Sequence, residues 1–98
     1  MKFKINADAQ WDNRLAIPQK KFNAVRDAIA NTLTTDTLDA HAAGLLENPR
    51  YQDGGDGDLA MRVRWDSYWA VRKQFTDSSD FTDKQMDSVL RRIVLVDA

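Results

Sequence analysis

The feature that most constrains this chain is the stretch "MRVRWDSYWAVRKQF", Met61 to Phe75, because its apolar residues do not fit on one side of any helix. On a helical wheel Met61, Trp65, Tyr68 and Phe75 share an arc of about 80°, with Trp69 just beside it. Leu59, Val63 and Ala70 fall on the opposite side, and Ala60 and Val71 lie between. A helix apolar on more than one face is usually surrounded by others, so the stretch predicts the middle of a bundle, with Trp65 and Trp69 at its centre. The basic residues give the alternative, a nucleic-acid surface, less support. Arg62 and Lys73 share one direction, Arg64 points away from them and Arg72 lies inside the aromatic arc, whereas a phosphate-tracking surface needs its positive charges on one side.

The rest of the chain supplies the surrounding elements. "KFKIN" alternates Lys2 and Lys4 with Phe3 and Ile5, the period of a half-buried strand. "ADAQWDNRLAI" has no clean period, which places Trp11 in an irregular connection or a loose helical turn. From Pro18, suited to a first helical position, Phe22, Val25, Ile29 and Leu33 recur at helical spacing and predict a helix over about 18–33. Asp36 and Asp39 then supply the cap and first-turn acid of a second helix with the stripe Leu38, Ala42, Leu45 and Leu46, stopped by Asn48-Pro49. The loop "YQDGGDGD" delivers Asp58 as the N-cap of a third helix over about 59–75. In "FTDKQMDSVLRRIVL", Thr82 and Gln85 have the spacing of a capping box, and Phe81 and Met86 that of a hydrophobic staple. Met86, Val89, Leu90 and Ile93 form the apolar face of this fourth helix, with Asp87 and Arg91 as an i, i+4 pair. Residues 93–96 extend it or form a strand against residues 2–6. The expected fold is a single domain over 1–98, mainly α, four helices with a short N-terminal β-strand; α+β is the alternative.

Composition narrows the function. A chain of 98 residues can bury roughly 60–70% of its unfolded surface and fold without staples. It has no Cys and a single His, His41, which excludes disulfides and thiolate zinc sites. No signal-like run is present and no window approaches the ~20 apolar residues of a membrane span. The expectation is therefore a cytoplasmic protein with no membrane, metal or cofactor. The four serines have no nucleophile-elbow context, and His41 reads as a core-margin residue rather than a base. The segment "DGGDGD" fails the calcium-loop spacing. No enzyme is expected.

Net charge is −1, with residues 34–57 carrying one basic and five acidic groups. Fourteen of the fifteen acids are Asp, which favours caps and turns. A solvated face is the plain account of the acidic segment; the sharper one is that Asp53, Asp56 and Asp58 meet a basic surface of a partner. Arg26 and Arg72, each beside an apolar stripe, and Trp11 are the remaining candidate partner-binding residues, the plain account being arginines that snorkel at a core margin. The expected partner is a protein, with homodimerisation possible and nucleic acid disfavoured.

Two blocks carry a resemblance. Arg64, Trp65, Asp66, Trp69 and Ala70, followed by Asp83, Met86, Asp87, Leu90, Arg91 and Ile93, form a pattern similar to that of small, uncharacterised bacteriophage and prophage proteins. It covers about a third of the chain. The resemblance implies a phage origin and no mechanism. For a cysteine-free, chemically unmarked domain of that origin the expectation is occupation of a surface of a host or phage macromolecule in the host cytoplasm, as host-takeover and anti-defence proteins do, with a DNA-binding regulator or a virion structural or assembly component as the alternative. Residue types in the same blocks suggest that Asp66 and Arg91 pair between helices.

Overall fold

The computed structural model describes residues 2–52, 56–75 and 81–97. Four helices and a two-stranded sheet account for most of them. The strand β1 (Lys2–Ile5) pairs antiparallel with β2 (Val94–Asp97), Phe3 opposite Val96 and Ile5 opposite Val94. Of the two expectations for the chain end, the strand therefore holds. The alternation predicted for β1 is present: Lys2 and Lys4 are exposed, and Phe3 is buried.

Helix α1 (Gln19–Thr32) buries Phe22, Val25, Ala28 and Ile29, the i, i+3, i+4 stripe of an amphipathic helix. Helix α2 (Thr35–Leu45) is capped by Thr34, whose hydroxyl accepts the Thr37 N–H at 3.1 Å; Asp36 is a first-turn acid. The cap expected from Asp36 and Asp39 is thus Thr34, because the hydroxyl stands one residue before the first helical turn. Asp39 instead accepts the outward N–H of Phe3 at 2.8 Å and ties β1 to α2. Leu38 and Ala42 are buried, whereas Leu46 at the C-cap is exposed. A 3-10 turn at Pro49–Tyr51 buries Tyr51.

Helix α3 (Asp56–Val71) starts before the expected boundary, so Asp58 lies in its first turn and is not its N-cap. It ends at Val71 in a 3-10 turn, Arg72–Gln74. Helix α4 (Asp83–Ile93) has the predicted capping box: Thr82 Oγ1 accepts from Gln85 N at 3.1 Å, and Gln85 Oε1 accepts from Thr82 N at 2.9 Å. Two orphan N–H groups are satisfied reciprocally.

Helix α3 packs against α1, α2 and α4, as its many-sided apolarity requires. The face it turns inward is the one carrying Leu59, Val63 and Val71, which meet Phe22, Val25, Ile29, Val89, Leu90 and Ile93 in the core. This corrects the centre expected from Trp65 and Trp69. Trp65 is only partly buried and Trp69 is 52% exposed. Of the α3 rings Tyr68 is buried, and the two larger indoles are left for the margin. Ser67 shares the inward face because its hydroxyl donates to Val63 O at 2.7 Å, so no polar group is stranded there.

The irregular connection between β1 and α1 contains a 3-10 turn at Asn13–Leu15 and is fastened by side chains. Trp11 Nε1 donates to Ile17 O at 2.8 Å, Arg26 Nη1 to Ala9 O at 3.0 Å, and Gln85 Nε2 to Ala16 O at 3.2 Å. Asp12 accepts from Arg14 N at 2.8 Å and pairs with Arg92 at 2.7 Å. These hydrogen bonds, first those from Arg14 and then that from Arg92, hold the Asp12 carboxyl below its ordinary value.

Candidate functional site

Trp65 and Trp69, which α3 does not fully bury, form a ridge on its outer side with the buried Tyr68 packed against them. Trp65 and Tyr68 meet edge to face with ring centres 5.8 Å apart, and Tyr68 and Trp69 do so at 5.6 Å. Trp65 and Trp69, four residues apart, lie at 6.1 Å with planes inclined by 33°. Arg72, three residues further along, places its guanidinium 4.9 Å from the centre of the Trp69 ring. Helical spacing alone produces this ladder, since i, i+3 and i+4 neighbours stack along one face. Trp65 is anchored from below: its Nε1 donates to Asp87 Oδ1 of α4 at 2.6 Å. Asp87 therefore serves the indole, and no ion pair joins it to Arg91 among the described residues.

Two clefts flank the ridge. One, of about 160 Å³, lies between Trp65, Tyr68, Trp69 and Arg72 on one side and Phe81, Asp83 and Met86 on the other. Phe81 and Met86, the residues at staple spacing, thus stand together as a wall of this cleft. The other cleft, of about 300 Å³, runs from Trp65 and Trp69 past Met61 and Arg62 to Arg50, Tyr51 and Asp58. Arg50 stacks on Tyr51 at 5.7 Å. Beneath the ridge's end, buried Lys21 holds its ammonium 4.7 Å from the centre of Phe75 and 5.4 Å from that of Phe81. Cation–π contact is thus a recurrent device of this margin.

A polar cluster joins α2 to α3. His41 Nε2 lies 2.7 Å from Asp66, and Arg62 Nε donates to the same carboxylate at 3.2 Å. Asp66 is therefore satisfied by His41 and Arg62, not by Arg91, because α2 and not the end of α4 faces it. His41 is an exposed bridge rather than a core-margin residue. The cleft beside it, about 160 Å³, is lined by Leu33, Thr37, Leu38, Ser67 and Ala70. Its hydroxyls are engaged elsewhere, Thr37 with Thr34 at 2.8 Å and Ser67 with Val63 O. Among the described residues no hydroxyl bonds His41, so a nucleophile–base pair is not assembled. Nor do three His, Asp or Glu residues gather as a metal site among them.

The expected partner-binding residues separate in the structure. Trp11 and Arg26 are spent on fastening the connection after β1. Arg72 is on the ridge, and Asp58 is exposed in the larger cleft beside Arg50 and Arg62. Asp53 lies outside the described residues; Asp56 contributes the first residue of α3. Arg64 turns away from the ridge to donate to Val94 O at 2.9 Å, and burial followed by the charge of Arg91 lowers its proton affinity. Exposure of Trp69 and the part of Arg50 and Tyr51 were missed. One signal for the first existed: an apolar set too broad for one interface must leave some member outside.

No family model, no curated protein and no solved structure matches this chain. Among the described residues, no helix is long and apolar enough to cross a membrane.

Proposed function

We propose that this chain is a non-catalytic binding protein that seats the Trp69 ridge of α3 on the surface of another protein. The observation that carries the reading is the placement of Trp69: a tryptophan 52% exposed, stacked under an arginine, with a cleft on either side. Trp, Tyr and Arg are the residues that dominate binding energy at protein interfaces, and they act in desolvated pockets near the centre of the contact. Large exposed aromatics are costly to keep in water and mark interaction sites when they stand together with polar rims. On the resemblance of the two blocks to phage proteins, the partner is a host or phage macromolecule whose working surface this protein occupies.

The test compares wild type with Trp69→Ala. Proteins retained by the immobilised wild type and lost from the variant, with unchanged circular dichroism of the two baits, are the partners the reading requires. If the chain acts on a bacterial host, its expression slows growth and Trp69→Ala relieves the effect. Identical retained proteins for the two baits would remove the ridge as the binding surface. Trp69-dependent self-association in sedimentation would redirect the reading to assembly.

A further inference from the structure

We infer that the partner of the Trp69 ridge is an acidic segment of a protein, with an apolar side chain entering the cleft between Trp69 and Phe81 and flanking carboxylates taken by Arg72 and Arg50. The inference rests on the binding reading above and specifies the chemistry of the partner.

The argument begins with the two arginines. Arg72 is stacked on Trp69 and Arg50 on Tyr51, at 4.9 and 5.7 Å from the ring centres. Both are exposed, and neither has a carboxylate within ion-pair distance among the described residues, whereas Arg62, between them, is held by Asp66. A guanidinium held over a ring has fewer orientations to lose on binding, and an unpaired one suits two-pronged recognition of a carboxylate. The clefts that hold these arginines share Trp65 and Trp69, so one extended segment can cross the ridge and meet both. Two carboxylates in the lining, Asp58 and Asp83, set a limit on how closely an acidic segment approaches away from the two arginines. Both occupy first turns, of α3 and α4, where the positive ends of the helices offset part of their charge.

The same surface is poorly made for nucleic acid. Trp69 has Trp65 at 6.1 Å on one side along the helix and the Arg72 guanidinium at 4.9 Å on the other, so a base stacking on the indole competes with Arg72 for the ring. Of the further arginines on α3, Arg62 is committed to Asp66 and Arg64 to Val94 O, which leaves no track of charges for a phosphate backbone.

The experiment selects displayed random short peptides on the full-length protein. Selected sequences are then measured as synthetic peptides, by fluorescence anisotropy, against wild type, Trp69→Ala and the double variant Arg50→Glu/Arg72→Glu. The expected outcome is enrichment of sequences with an apolar residue flanked by Asp or Glu, affinity that falls as salt rises, and a loss of about tenfold or more in the double variant. Peptides without acids that need Trp69 and tolerate the double variant would overturn the inference and leave the binding reading standing. Absence of enrichment, or peptides insensitive to Trp69→Ala, would remove both. Displacement of the peptides by single-stranded oligothymidylate would overturn the inference in favour of nucleic acid. Should the double variant lose its helical spectrum, replacing Glu by Gln in the peptide and the salt dependence of the unmodified protein decide the same question.

Discussion

The bond between Trp65 Nε1 and Asp87 Oδ1 is the most direct link between the ridge and the helix beneath it, and its worth can be measured. At 2.6 Å it is a short, charge-assisted bond from α3 to α4. Hydrogen bonds to charged groups contribute about 1.5–3 kcal/mol, and partial exposure of both residues moves this one toward the lower end, because water can replace the lost partner. Trp65→Phe also removes ring area, and Asp87→Ala also changes helix propensity, so neither single variant isolates the bond. A double-mutant cycle cancels both side effects. We expect a coupling energy of about 1–2 kcal/mol from urea unfolding of the four proteins, followed by circular dichroism. For a domain of this size that corresponds to roughly 4–16 °C of Tm lost beyond the sum of the side effects. Asp87→Asn, which keeps an acceptor but loses the charge, should fall between Asp and Ala. Additive single variants, with coupling below about 0.5 kcal/mol, would show that the indole and the carboxylate do not hold each other in solution.

Four further outcomes are expected. Because the Asp12 carboxyl is held below its ordinary value of 3.8, its contribution to stability is present above that pH and lost as pH falls through the depressed value; Asp12→Asn should flatten the acid limb of a stability–pH profile, and an unchanged limb would count against the Arg14 and Arg92 contacts. Thr82→Ala removes the hydroxyl half of the α4 capping box and should cost about 1 kcal/mol in denaturant unfolding, with no cost if the cap is not formed. Phe22→Ala should cost about 3–5 kcal/mol and Trp69→Ala clearly less, since Phe22 is fully buried; equal losses would return Trp69 to the core. Ala16 has φ 55 and ψ 24, a left-handed conformation that disfavours a side chain, so Ala16→Gly should be neutral or raise Tm, and a fall would mean the turn is not left-handed in solution.

Helices α1 and α4 were legible from local information. The Phe22, Val25, Ile29 stripe and the Thr82/Gln85 box depend only on spacing within one turn or two, and neighbours in sequence are neighbours in space there. The strand at the end of the chain was legible only as one of two states. Ile-Val-Leu-Val satisfies a helix and a strand equally well, and pairing with β1, 89 or more residues away, decides between them. Pairings between elements were the least legible. Asp39 and Asp87 each had a plausible local role or partner and Asp66 a plausible one in Arg91 of α4, and each found another: Phe3 N–H, Trp65 Nε1, and His41 with Arg62.

The candidate site shows the same division most sharply. That α3 carries more apolar surface than one interface can take was written in its residue order, and so was a surplus of aromatics beside arginines. Which face would be surplus was not. Both faces are hydrophobic by transfer free energy, and packing density chooses between them: Leu59, Val63 and Val71 let α1, α2 and α4 close onto α3, whereas Trp65 and Trp69 would hold them apart. The rings are left at the margin for that reason, and the surface proposed for a partner is the face that the core did not use.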